Sequence, residues 1–165
     1  MTPVDAIEFR NVMGHFPTGV AVVTTTHEGN RHGMTANSVT SVSLDPVMLL
    51  VCFSREARTA LAVQQAGRFA VNILREDQEE ISRRFARPFQ DHFEGLAVGD
   101  GPDRLPLLPG CLAYLACAVE EIVPAGDHDI VLGTVEHCEV DPNGGTPLVF
   151  FRGGYQRLPG PSRLG

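Results

Sequence analysis

The chain reads as a mainly β protein, a closed or partly closed barrel with a few flanking helices, and three observations carry that reading. Short runs rich in β-branched and apolar residues recur along most of the 165 residues, separated by turn chemistry. Only two or three segments show helical spacing, and they lie at the N-terminus or between strands. No repeat of about 20 to 50 residues and no low-complexity tract suggests another architecture.

The elements follow in order. Thr2-Pro3 followed by Asp5 opens a helix with Val4, Ile7 and Val12 on one face, ended by Gly14. Residues 19–26 and 35–42 are predicted strands, and the turn material Glu28-Gly29-Asn30 between them suggests a hairpin. Asp45-Pro46 turns the chain into the apolar strand 47–53. Ser54 is the expected N-cap of a helix with Ala57, Ala60, Leu61 and Val63 at helical spacing, stopped by Gly67.

Residues 68–74 form the next strand. Asp77 with Glu80 reads as a capping box for a short helix that carries Ile81 and Phe85 and ends before Pro88. The stretch 91–110 is rich in Gly, Pro and Asp and lacks periodicity, which fits either a loop over a site or a plain disordered loop. Residues 111–123 are apolar on both faces, as in a strand covered on each side, and 129–140 alternates with polar residues. The two make a long hairpin turning at Pro124-Ala125-Gly126-Asp127. Residues 147–151 supply the final strand, after which Gly153-Gly154-Tyr155 lets backbone or a ring approach a ligand, or closes the barrel end.

A chain of 165 residues with 43% hydrophobic content describes one domain, 1–165, with a sizeable core. The formal charge of −7 argues against a nucleic-acid partner, which demands a basic surface; the 13 basic residues are all arginine and are scattered. No charged-then-apolar leader and no window of about 20 apolar residues occurs, so a cytoplasmic protein with no membrane span is expected. Cys52, Cys111, Cys117 and Cys138 contain no C-x-x-C pair and read as buried free thiols, with no metal site. His15, His27, His32, His92 and His137 show no ligand spacing and read as surface or edge residues.

The densest chemical signal is Gly33 to Pro46. Thr35, Ala36, Asn37 and Ser38 leave peptide N–H and C=O groups accessible beside hydroxyls and an amide, a surface on which a flat polar heterocycle can lie close; solvent-facing strand residues have the same composition. Downstream, Ser54-Arg55-Glu56-Ala57-Arg58-Thr59 sets two arginines and two hydroxyls at the start of a helix, the composition of a phosphate site and equally that of a capped surface helix. No nucleophile elbow, P-loop or G-x-G-x-x-G turn is present.

Phe16 to Thr24, Gly33 to Pro46, Ser54 to Thr59, Phe69 to Leu74, Gly126 to Val135 and Phe151 to Tyr155, taken in this order over most of the chain, resemble the flavin reductase domain family. That family comprises the reductase components of two-component flavin-dependent monooxygenases and has the FMN-binding split β-barrel fold. The resemblance implies an NAD(P)H-dependent flavin reductase that transfers hydride from NADH or NADPH to FAD or FMN, FAD being favoured, and supplies diffusible reduced flavin to a monooxygenase. It implies a homodimer whose clefts are completed by the neighbouring subunit.

By the same resemblance Thr35, Ala36, Asn37 and Ser38 line the isoalloxazine, with Asn37 giving a side-chain hydrogen bond, and Ser54, Arg55, Arg58 and Thr59 hold the flavin phosphate. His128 faces the flavin and nicotinamide side of the cleft; from the residues alone, a histidine between Asp127 and Asp129 is a solvated hairpin residue. Tyr155 is a further candidate against the cofactor. The sequence departs from the commoner pattern at Asp45-Pro46-Val47, where a second proline is frequent, and at Phe53-Ser54-Arg55, where an Asn-Arg pair is often found. Two alternatives share the fold: a flavoenzyme reducing a corrinoid or ferric chelate, and a non-enzymatic flavin- or haem-binding sensor or carrier.

Overall fold

The computed structural model describes residues 3–88 and 91–159. Helix α1 (Ala6–Met13) starts at Asp5, whose carboxylate accepts from the Ile7 and Glu8 N–H groups at 2.8 Å. Thr2, expected to open this helix, lies outside the described residues. After β1 (Thr18–Gly19), strands β2 (Ala21–His27) and β3 (Asn30–Ala36) form a hairpin. Its two-residue loop has positive φ at both Glu28 and Gly29, 49° and 76°, the backbone twist that suits tight hairpins.

The expected strand over 35–42 is therefore two strands. Thr35 and Ala36 finish β3, Asn37 and Ser38 turn a corner, and β4 (Val39–Leu44) begins anew. The polar run from Asn30 carries the hairpin with β2 because Met34 and Ala36 alternate into the core.

Strand β5 (Val47–Ser54) extends through Ser54, so Ser54 is not a helix cap. Its ladder pairing continues to the end of the strand, and a turn closed by Ala57 N–H donating to the Ser54 carbonyl separates it from α2 (Arg58–Ala66). Gly67 ends α2 with φ 67°, the left-handed conformation that glycine adopts without strain. Strand β6 (Arg68–Ile73) leads to α3 (Glu79–Phe85), whose N-cap is Gln78. The expected capping box does not form: the cap position falls on Gln78, one residue after Asp77, and the Asp77 carboxylate meets Arg75 Nε at 3.0 Å instead.

The stretch 91–110 is more ordered than expected. It holds β7 (Gly99–Asp100), a tight turn over Pro102–Arg104 and β8 (Pro106–Leu107), and it buries Leu105 and Leu108. Asn72, fully buried, fastens it to the sheet: its Oδ1 accepts from Leu108 N–H at 2.9 Å, while its Nδ2 donates to the Val22 carbonyl and the Thr24 hydroxyl. All its polar atoms are thus matched, which is what makes a buried amide affordable. The hairpin β9 (Ala113–Ala125) and β10 (His128–Val140) follows, then β11 (Leu148–Phe151) and β12 (Gly154–Arg157), a strand absent from the sequence reading. Beyond Glu120, β9 is largely exposed rather than covered on both faces.

The main sheet has seven strands in the order β3-β2-β6-β9-β10-β5-β4. Its two edges, β3 and β4, are consecutive in the chain and joined by Asn37 and Ser38 alone. A sheet whose first and last strands meet through two residues must curl round on itself, giving a partly closed barrel. Ser38 pins the seam: its Oγ donates to the Cys52 carbonyl at 3.0 Å and its own carbonyl accepts from Cys52 N–H at 3.3 Å. β1, β11 and β12 form a separate small sheet.

Strand β2 is buried on both faces because two cores meet on it. Ala21 and Val23 face the barrel core with Val51, Phe53, Phe69, Val71 and Val63 of α2; Val20 and Val22 face a second cluster with Leu74, Phe85, Leu108 and Leu148 under α3. α2 therefore plugs the barrel from one side and α3 covers it from the other. Of the cysteines, Cys117 is buried, Cys52 and Cys111 are half-buried and Cys138 is exposed, which corrects the expectation of uniformly buried thiols. Burial pushes the Cys117 thiol up to about 12 and the Cys111 thiol up to about 11.

Candidate functional site

A cleft of about 1090 Å³ runs along the free edge of β3. One wall is the start of α2 with its preceding turn, Glu56 to Thr59; the other is the end of α3 with Phe85 to Pro88 and Asp91 to Phe93. The volume suits a large organic ligand or two ligands lying together. An edge strand also presents main-chain donors and acceptors that no neighbouring strand uses.

The alternation of β3 sends its side chains to opposite walls. Gly33 and Thr35 face α3: a Cβ on Gly33 would lie 2.6 Å from the Phe85 ring, and the Thr35 hydroxyl donates to the Ser82 carbonyl at 2.6 Å. Met34 and Ala36 face the barrel core, and His32, two residues before Met34, faces the α2 side, where the charge of Arg58 reaches it. Burial first, then the charges of His27 and Arg58, hold the His32 imidazole below its ordinary value. At the start of α2 the N-cap is Ala57, which makes no side-chain cap bond; its carbonyl accepts from the Ala60 N–H at 3.0 Å, and Arg58 and the buried Thr59 sit at the positive end of the helix.

Of the residues singled out from sequence, Thr35, Arg58 and Thr59 line this one cleft. Ala36 lies in the core at the end of β3, Asn37 is exposed at the seam and Ser38 is bonded to Cys52. The stretch from Ser54 to Thr59 does not act as one cluster. Arg55 turns away to β10, where its Nε meets the Asp129 carboxylate at 2.9 Å and its N–H donates to the Asp127 carbonyl. Ser54 pairs with His128 across the β5–β10 ladder.

His128 is the first residue of β10, its side chain 46% exposed and its Nδ1 2.7 Å from the Asp127 carboxylate. That hydrogen bond and the adjacent imidazole hold the Asp127 carboxyl below its ordinary value. Tyr155 stands behind α3 rather than in the cleft wall: its hydroxyl is 2.7 Å from Ser82 Oγ and the Arg83 guanidinium lies 4.9 Å from its ring centre. It braces the helix that forms the wall.

His32, His92, Phe85, Phe93 and Arg87 line the cleft without having been expected there, and Ser82 ties β3, α3 and β12 together. His32 was recoverable from its period-2 relation to Met34 and Ala36; the others come from segments that only the tertiary fold brings near β3. No group of three His, Cys, Asp or Glu side chains suited to a metal ion occurs among the described residues. No helix among them is long and apolar enough to cross a membrane.

Residues 13–159 match the family described as flavin reductase like domain. A probable flavin reductase from Rhizobium meliloti is 42% identical over 152 residues, which are 92% of this chain and 48% of that protein, so the chain spans about half the length of this relative. The reductase component of a 4-nitrophenol 4-monooxygenase/4-nitrocatechol 2-monooxygenase from Rhodococcus opacus is 40% identical over 153 residues, 93% of this chain and 81% of that one. Among solved structures, the NADH:FAD oxidoreductase of Streptomyces globisporus C-1027, in complex with NAD and FAD fragments, superposes with a TM-score of 0.90 at 35% identity, covering 98% of this chain and 99% of that chain.

Proposed function

The chain belongs to the flavin reductase like domain family, and from this premise we propose that it is a nicotinamide-dependent flavin reductase serving as the reductase half of a two-component monooxygenase, using NADH to reduce FAD that then diffuses to a separate oxygenase. The observation that carries this reading is the meeting, in one cleft, of the unpaired edge of β3 with a helix start that lacks a side-chain cap and holds Arg58 and Thr59.

The donor set fits a flavin nucleotide. The positive end of α2, the Thr59 hydroxyl and the Arg58 guanidinium hold its phosphate, the arginine through charge-assisted bonds. The β3 edge from Thr35 through Ala36 to the Asn37–Ser38 corner meets the polar rim of the ring, with Asn37 offering its side-chain amide. Bound flavin supplies the hydride-accepting ring, so the chain needs no nucleophile of its own. His128 borders the nicotinamide side; because Asp127 engages its Nδ1, Nε2 is the nitrogen left to face a substrate. Arg55, engaged by Asp129, keeps the β5–β10 junction in place rather than gripping phosphate.

We also place the protein in the cytoplasm and in a homodimer. α1 buries none of its residues, and Ile7, Phe9, Val12 and Phe16 are exposed together at its end of the molecule, an apolar surface that a second copy would cover. NADH oxidation by the purified chain, with FAD, FMN or no added flavin, tests the activity. Turnover that requires added flavin, with a lower KM for FAD, supports it. Turnover indifferent to flavin, or tightly held flavin that stays idle until a corrinoid or ferric chelate is supplied, overturns it.

A further inference from the structure

We propose that His32 is a second phosphate-holding group of the cleft, a proton-gated partner of Arg58 that tightens the grip on phosphorylated flavin as pH falls. The inference rests on the flavin reading above.

Its basis is geometric. His32 lies on β3 and lines the same cleft as Arg58 and Thr59, on the wall formed by the start of α2. The charged groups that reach it are His27 from β2 and Arg58 from α2; Glu56 lines the cleft from the turn before α2, Asp91, Arg87 and His92 belong to the opposite wall, and its neighbour Arg31 is paired with Asp100. Partial burial and the two nearby bases favour the neutral imidazole in the protein alone. The FAD diphosphate at the start of α2 opposes these influences: its negative charge offsets that of Arg58, and it offers an acceptor to an imidazolium N–H. Binding is thereby linked to proton uptake.

The sign follows from linkage. The complex has the higher His32 pKa, so the gain in affinity is fully present below the pKa of the protein alone and is lost as pH rises through that of the complex. A rise of one pKa unit on binding corresponds to an affinity gain of about tenfold.

The test is fluorescence titration of the purified chain with FAD and with riboflavin from about pH 5.5 to about pH 8.5. The FAD phosphates stay ionised throughout, and riboflavin has none. The expected result is an FAD Kd that falls about tenfold toward acid pH, with riboflavin binding unchanged. His32→Gln should abolish the FAD slope, His32→Arg should bind FAD tightly with no slope, and His92→Gln, on the other wall, should keep it. An equal slope for riboflavin, a slope that survives His32→Gln, or FAD binding that is flat in the unmodified chain overturns the inference while leaving the flavin reading intact. Failure of either flavin to bind at any pH overturns both.

Discussion

Thr35 and Ser82 are joined by a hydrogen bond in which the Thr35 hydroxyl donates to the Ser82 carbonyl at 2.6 Å. The same carbonyl accepts from Ala86 N–H within the helix turn, and the Ser82 hydroxyl meets Tyr155 at 2.7 Å. One buried residue of a short helix thus fixes the cleft wall to the strand that forms the cleft floor.

Thr35→Val keeps the shape and removes the donor. The expected cost is about 0.5–1.5 kcal/mol, the net worth of one such bond, which for a chain of this size lowers Tm by about 1–6 °C. Tyr155→Phe should act in the same direction through Ser82. Thermal melting of both variants decides the matter, and an unchanged Tm in each would show that the brace does not stabilise α3.

Gly33→Ala should be more damaging than a single methyl suggests. The backbone φ is not the obstacle; the new Cβ would stand 2.6 and 2.9 Å from two atoms of the Phe85 ring and 3.2 Å from Phe93. Phe85 is only 2% exposed and has little room to retreat. Overpacking of this kind costs about 1–3 kcal/mol, read as a lower urea midpoint, and a midpoint equal to that of the unmodified chain would contradict the close approach of α3 to β3.

The two arginines near the start of α2 should part company. Arg58→Ala is expected to raise the FAD Kd about tenfold or more, in line with about 1.5–3 kcal/mol for a charged hydrogen bond. Arg55→Ala, whose guanidinium is already engaged by Asp129, should change it by about twofold or less. Isothermal titration of the pair discriminates, and the reverse order would move the phosphate to the β10 side.

Alkaline pH should weaken the fold through the thiols. Cys117 and Cys111 stay protonated in the folded chain up to about 12 and about 11, whereas in the unfolded chain they ionise near the ordinary value of 9.0. Above that value the unfolded state has lost protons that the folded state still holds, so stability declines as pH rises past it. Urea unfolding across this range reads the decline. A thiol reagent should meanwhile modify exposed Cys138 first and Cys117 only on unfolding; rapid labelling of Cys117 would contradict its burial.

Much of the fold was legible locally. The Glu28-Gly29 hairpin, the stop at Gly67 and the long β9–β10 hairpin follow from turn chemistry and periodicity that the chain expresses over a few residues. The expectations that fail are those where another partner takes the group. Ser54 is a good cap by type, but its pairing with His128 keeps it in a strand. Asp77 suits a capping box, but Arg75 claims its carboxylate. Thr35, Arg58 and Thr59, which line the cleft, are visible in the sequence as small polar residues and a helix start. Arg55 stands beside Arg58 in the sequence, while the Asp129 carboxylate that it meets lies 74 residues away. The alternation with Met34 and Ala36 gives the face of His32, but only the tertiary fold brings α2 to that face.

The seam at Asn37 and Ser38 has a kinetic consequence. Closing a loop costs entropy that grows with its length, so joining β3 to β4 through two residues is cheap once each has its own hairpin partner. The expensive encounter is between β5 and β10, far apart in the chain. The three hairpins β2–β3, β4–β5 and β9–β10 are local in the chain and are expected to form before β4–β5 docks onto β9–β10, an order that pulsed hydrogen exchange during refolding would check. Barrel curvature is then settled by the shortest link in the sheet, which brings the cleft floor into register without a further search.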